Sequence, residues 1–133
     1  MNFGKNMKQE YLTQSVMTAS PSELVVMLFD ACIKDLKLAE ISLSERQDIN
    51  ATNLNLQKAQ QIIMELINSL DTSYEISTQL LSIYHYLLRS IREMNIKKDM
   101  SQLPDLLEIL TALRDTWQQV SRPSHAAHAS EVG

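Results

Sequence analysis

No glycine lies between residues 5 and 132 of this chain; its only two, Gly4 and Gly133, stand at the ends of 133 residues. Tight two-residue hairpins need positive φ, which glycine supplies most readily, and phosphate-cradling loops need its bare backbone. Both are therefore disfavoured throughout the interior. The residues that remain are mostly good helix formers, with Leu, Ile, Ala, Gln, Glu and Lys prominent. A chain of this length makes one domain and buries a core without disulfides or metal. The fold class that follows is all-α.

Apolar spacing divides the chain into four helices. Ser20, Pro21 and Glu23 combine an N-cap, a first-position proline and a capping box. The first helix runs from there to about Ser44, with a stripe of Val25, Leu28, Phe29, Cys32, Leu36, Ala39 and Leu43. Asp48 or Asn50 caps a second helix reaching about Leu70, with Leu56, Ala59, Ile63, Leu66 and Leu70 on one face. Thr72 and Glu75 have capping-box spacing, so a third helix is expected from about Ser73 to Lys97, carrying Ile76, Leu80, Ile83, Leu87, Ile91 and Met94. The fourth opens near Ser101, tolerates Pro104 in its first turn, and carries Leu103, Leu106, Leu110, Leu113, Trp117 and Val120.

Short connections favour antiparallel neighbours, hence an up-down four-helix bundle over residues 18–120. Residues 1–17 contain Phe3, Met7, Tyr11, Leu12, Val16 and Met17, an apolar set expected to dock as a short segment or helix. Ser121-Arg122-Pro123 is expected to end the fourth helix, leaving 121–133 as a disordered tail.

The composition closes several routes to function. A net charge of −4 argues against nucleic acid, whose phosphates call for clustered Lys and Arg. The longest stretch without formal charge, Ile76 to Leu88, is too short and polar to span a bilayer, and Lys5, Lys8 and Glu10 interrupt any signal-like start. One cysteine, Cys32, in an apolar helix suggests a reducing, cytoplasmic setting and a structural thiol. There is no Glu-x-x-His pair for a bundle metal site, and His85 stands alone on its helix. No catalytic constellation, cofactor or metal is expected.

What the sequence has in excess is apolar surface. The first helix carries a second stripe, Leu24, Met27, Ala31 and Leu38, about 120° round from the first. The third carries Leu81, Tyr84, Leu88 and Ile91 beside its core line. One core uses one stripe per outer helix. The surplus fits either helices buried on two sides or grooves for a partner's helix, read as anchors at i, i+3, i+4 and i+7. Seven methionines suit an adaptable surface of the second kind.

The run Tyr11 to Pro21, which includes Val16, Met17 and Thr18-Ala19-Ser20-Pro21, continues with Glu23-Leu24 and Met27-Leu28-Phe29-Asp30. It resembles the opening of the flagellin chaperone family, FliS. Lys58-Ala59-Gln60, Ser69-Leu70-Asp71, Ile83-Tyr84-His85-Tyr86-Leu87, Asn95 to Asp99 and Leu113 to Trp117 resemble later blocks of that family in matching order. The likeness covers about residues 7–120. It departs at Asp71–Tyr74, where a glycine-containing turn is usual, at His85 in place of Asp, and at Met94 in place of Ala.

The resemblance implies a cytoplasmic export chaperone. Such a protein binds the C-terminal region of flagellin, prevents its premature polymerisation and delivers it to an export gate component of the flagellar secretion apparatus. The expected partner-binding residues are Leu24, Met27, Ala31 and Leu38 as one wall and Tyr84 and Leu88 as further anchors. Tyr11, Val16 and Met17 are expected to form a movable lid, an arrangement the family resemblance implies. The alternative is a non-catalytic helical scaffold that homo-oligomerises through its surplus apolar face; a weak homodimer is a separate partner expectation for the chaperone itself.

Overall fold

The computed structural model describes residues 19–132, with side chains through residue 120. Four helices follow in order: α1 Pro21–Ser44, α2 Ile49–Asn68, α3 Ser77–Lys97 and α4 Leu103–Val132. Among the described residues there is no strand. The 1–17 docking segment, with Tyr11, Val16 and Met17, lies outside the described residues.

The start of α1 follows its sequence signals. Ser20 is extended, its Oγ accepts the Glu23 N–H at 3.3 Å and donates to Glu23 Oε1 at 3.1 Å, and Pro21 opens the first turn. Such a cap stabilises a helix by about 1 kcal/mol. Asp48 caps α2 by accepting the Ala51 N–H at 3.0 Å. Gln47, at φ 52°, turns the chain between the two helices.

Two boundaries differ from the sequence expectation. Helix α3 begins at Ser77 rather than Ser73, because Asp71 Oδ1 accepts both the Ser73 N–H (2.9 Å) and the Ser73 hydroxyl (2.6 Å). This local turn competes with helix formation. Ile76, expected in the core stripe, falls in that turn and is 57% exposed. Helix α4 continues through Ser121-Arg122-Pro123 to Val132, where the sequence predicts an end and a disordered tail. Proline removes one rung of the helix ladder, whereas Ala126, Ala127 and Ala129 favour helix.

The four stripes meet in one core. Phe29, Cys32, Leu36 and Ala39 of α1 pack with Leu56, Ala59, Ile63 and Leu66 of α2. Leu87, Ile91 and Met94 of α3 and Leu103, Leu106 and Leu110 of α4 complete it. Burying each such Leu or Ile contributes about 1.5–3 kcal/mol. Val120, the last predicted core residue of α4, is 54% exposed.

Helix α1 lies between α2 and α4, and α2 lies against α3, while α3 and α4 approach one another less closely. Polar ties fix these neighbours. Asn95 Nδ2 donates to Asn53 Oδ1 at 2.9 Å between α3 and α2, and Arg114 Nε donates to Asp30 Oδ1 at 2.5 Å between α4 and α1. Across the wider α3/α4 seam, the Trp117 indole N–H donates to the Tyr84 hydroxyl.

Candidate functional site

The four residues expected to make a wall on α1 lie on that helix's outer flank. Leu24, Met27 and Ala31 are half-buried and Leu38 is 40% exposed, whereas Phe29, Cys32, Leu36 and Ala39 have no exposed surface. Helical geometry sets the two groups about 130° apart. Ala31, Asp35, Leu38 and Ser42 share one row at spacings of four, three and four. Ser42 Oγ accepts from Asn55 Nδ2 of α2 at 3.4 Å, and Asp35 feels Lys58 of the same helix. Ala31 and Leu38 therefore stand beside the outer seam between α1 and α2, with Leu24 and Met27 continuing the line toward the start of α1.

The two anchors predicted on α3 separate. Leu81, Leu88 and Asn95 repeat every seven residues, and Asn95 bonds Asn53 of α2, so this row faces α2. Leu88 is half-buried there, at the seam on the other side of α2 from the wall. Tyr84 does not serve as a surface anchor in this structure. It is 1% exposed, its ring centroid lies 6.3 Å from that of Phe29, and its hydroxyl accepts from Trp117. Burial raises its pKa, partly offset by that hydrogen bond. Its spacing placed Tyr84 on a surface line, but a tyrosine with a buried partner for its hydroxyl packs as a core residue.

Between the wall and Leu88, the outer surface of α2 exposes Leu54 (51%) and Met64 (46%). The sequence reading passed over both, although each stands off the Leu56, Ala59, Ile63 and Leu66 stripe and could have been found as an apolar residue out of register. Together they leave apolar side chains on both flanks of α2.

Two titratable groups of α1 are shifted by burial. Burial, with a smaller contribution from Asp35, pushes the Cys32 thiol up to about 12, so it stays a protonated donor toward the Ala59 carbonyl, 3.9 Å away. Desolvation raises the Asp35 carboxyl despite the opposing pull of Lys58 and Lys34. Among the described residues no group of three or more His, Cys, Asp or Glu is arranged to hold a metal ion. No described helix is long and apolar enough to cross a membrane.

Comparison with known proteins adds a second line. The sequence profile of the family described as "Flagellar protein FliS" matches residues 4–124. The chain is 38% identical over 109 residues to the flagellar secretion chaperone FliS of Bacillus subtilis, covering 82% of this chain and 81% of that one. It is 32% identical over 116 residues to the protein of that name from Salmonella typhimurium, covering 85% of each. With the Vibrio cholerae protein of that name it shares 27% over 128 residues, 95% of this chain and 93% of the other.

Proposed function

The chain belongs to the FliS family of flagellar proteins, and from this premise we propose that it is a non-catalytic export chaperone whose client is the C-terminal region of flagellin. The observation that carries this reading is the apolar wall of Leu24, Met27, Ala31 and Leu38, held outside the core at the α1/α2 seam. A client segment that is disordered alone folds as amphipathic helix against it. Leu88 extends the contact on the far side of α2, with Leu54 and Met64 between. Coupled folding of this kind buries roughly 1,000–3,000 Å² and spends a few kcal/mol on ordering, which keeps binding protective yet reversible.

In this reading the protein works in the cytoplasm without a cofactor, keeps flagellin from polymerising and hands it to an export gate component. The N-terminal segment, with Tyr11, Val16 and Met17, covers part of the wall as a lid. Tyr84 supports the site from beneath rather than touching the client.

Calorimetric titration with a flagellin C-terminal fragment tests this directly. The wild-type chain binds with a negative heat-capacity change. Met27→Asp keeps the helical circular dichroism and loses affinity at least roughly tenfold, since a charge must be desolvated against an apolar guest. A wild-type chain that ignores the fragment removes the client assignment; a Met27→Asp chain that binds as tightly as wild type removes the wall.

A further inference from the structure

The outer seam between α1 and α2 carries polar side chains as well as apolar ones. Asp35 and Ser42 stand in the same row as Ala31 and Leu38. By helical geometry Asp35 is turned about 40° from Ala31 and about 60° from Leu38. That turn brings it toward α2, where Lys58 acts on it. Ser42 is satisfied at this seam, since its hydroxyl accepts from Asn55 Nδ2 of α2 at 3.4 Å. Asp35 differs. It is half-buried, yet among the described residues its carboxylate accepts no hydrogen bond and joins no direct ion pair. Burial disfavours its charged form, and Lys58 of α2 and Lys34 of α1 oppose that from a distance. Two cations thus already serve one anion, so what the carboxylate lacks is a donor rather than a charge. A guest lysine or arginine would meet both of these cations. A guest amide or hydroxyl supplies the hydrogen bond without adding charge.

A helix laid along the wall passes over this group. Ala31 and Leu38 are two turns apart, about 10.5 Å, and Asp35 falls between them. Covering it with apolar side chains alone would strip a carboxylate of solvent and return nothing, which is costly. We propose that Asp35 sets specificity within the wall, accepting a hydrogen bond from an uncharged side-chain donor that the client helix carries between the residues packed on Ala31 and Leu38. The inference rests on the client reading of the wall and adds one polar position to it. The preferred guest is an amphipathic helix with an Asn, Gln, Ser or Thr at one fixed place in its apolar face. A guest that is apolar throughout leaves the carboxylate unpaired and is rejected, and the same contact fixes the register of the accepted guest.

Calorimetric titration of the full chain with the flagellin C-terminal fragment provides the test. Asp35→Leu weakens binding at least roughly tenfold, because the client's donor is then buried without an acceptor. Asp35→Asn, whose amide oxygen still accepts, recovers most of that loss. Circular dichroism confirms that both variants stay helical. Each Asn, Gln, Ser, Thr, Lys and Arg of the fragment is then replaced by Ala. One replacement of an uncharged donor weakens binding to the wild-type chain at least roughly tenfold and has no effect on binding to Asp35→Leu. Asp35→Leu binding as tightly as wild type overturns the proposal, as does Asp35→Asn falling as far as Asp35→Leu. Coupling of Asp35 to a lysine or arginine of the fragment, or to no position, overturns it too. In all of these outcomes the wild-type chain still binds, so the client reading stands. A wild-type chain that ignores the fragment removes both.

Discussion

The inner face of α1 and its outer flank are built from the same kinds of residue but behave differently. Phe29, Cys32, Leu36 and Ala39 have no exposed surface, while Leu24, Met27 and Ala31 remain half-exposed and Leu38 exposes 40%. Residue type does not separate the two groups; angular position does, because α2 and α4 enclose one arc of the helix and leave the other open. Hydrophobicity alone therefore reports how much of a helix wants cover, and packing decides which part obtains it from within the chain.

The sharpest way to break this contrast is Phe29→Ala. The cavity it leaves beside Tyr84 should cost about 3–5 kcal/mol in denaturant unfolding. Leu38→Ala should change stability by no more than about 0.5 kcal/mol while lowering affinity for a flagellin C-terminal fragment, measured by calorimetry. Equal stability losses in the two variants would erase the distinction between the faces.

A smaller effect addresses the seam opposite α1. Trp117→Phe keeps most of the ring volume but removes the donor to the buried Tyr84 hydroxyl, so thermal unfolding should show a loss of about 1 kcal/mol.

The smallest concerns Asp35, beside the wall. Its folded-state pKa is raised, chiefly by desolvation, so the unfolded chain releases the proton first as pH climbs. Stability therefore falls as pH rises from the ordinary value of 3.8 through the folded value. Asp35→Asn should melt slightly higher than wild type at neutral pH, and the gap should close below pH 3.8. A gap that stays constant across that range would mean the carboxyl is fully hydrated.

Much of this architecture was legible in the residues. Ser20, Pro21 and Glu23 announce α1 because a cap and a fixed φ act locally, and core stripes such as Leu56 to Leu66 show because helical period is local too. The start of α3 was misread for a related reason: Thr72 and Glu75 have the spacing of a cap, but Asp71 captures Ser73 first. The role of Tyr84 was not legible, since it depends on what a second helix brings. Spacing could not reveal Trp117 as the partner of Tyr84.

The hydrogen bond between Trp117 and Tyr84 has a practical consequence, since Trp117 is the chain's single tryptophan. Its tryptophan fluorescence therefore reports on one point of the seam between α3 and α4, the more loosely packed pair of helices. Any event that spreads those two helices should alter the emission wavelength and the quenching by tyrosine. The protein thus carries a label-free optical gauge of its own opening, readable in stopped flow without chemical modification.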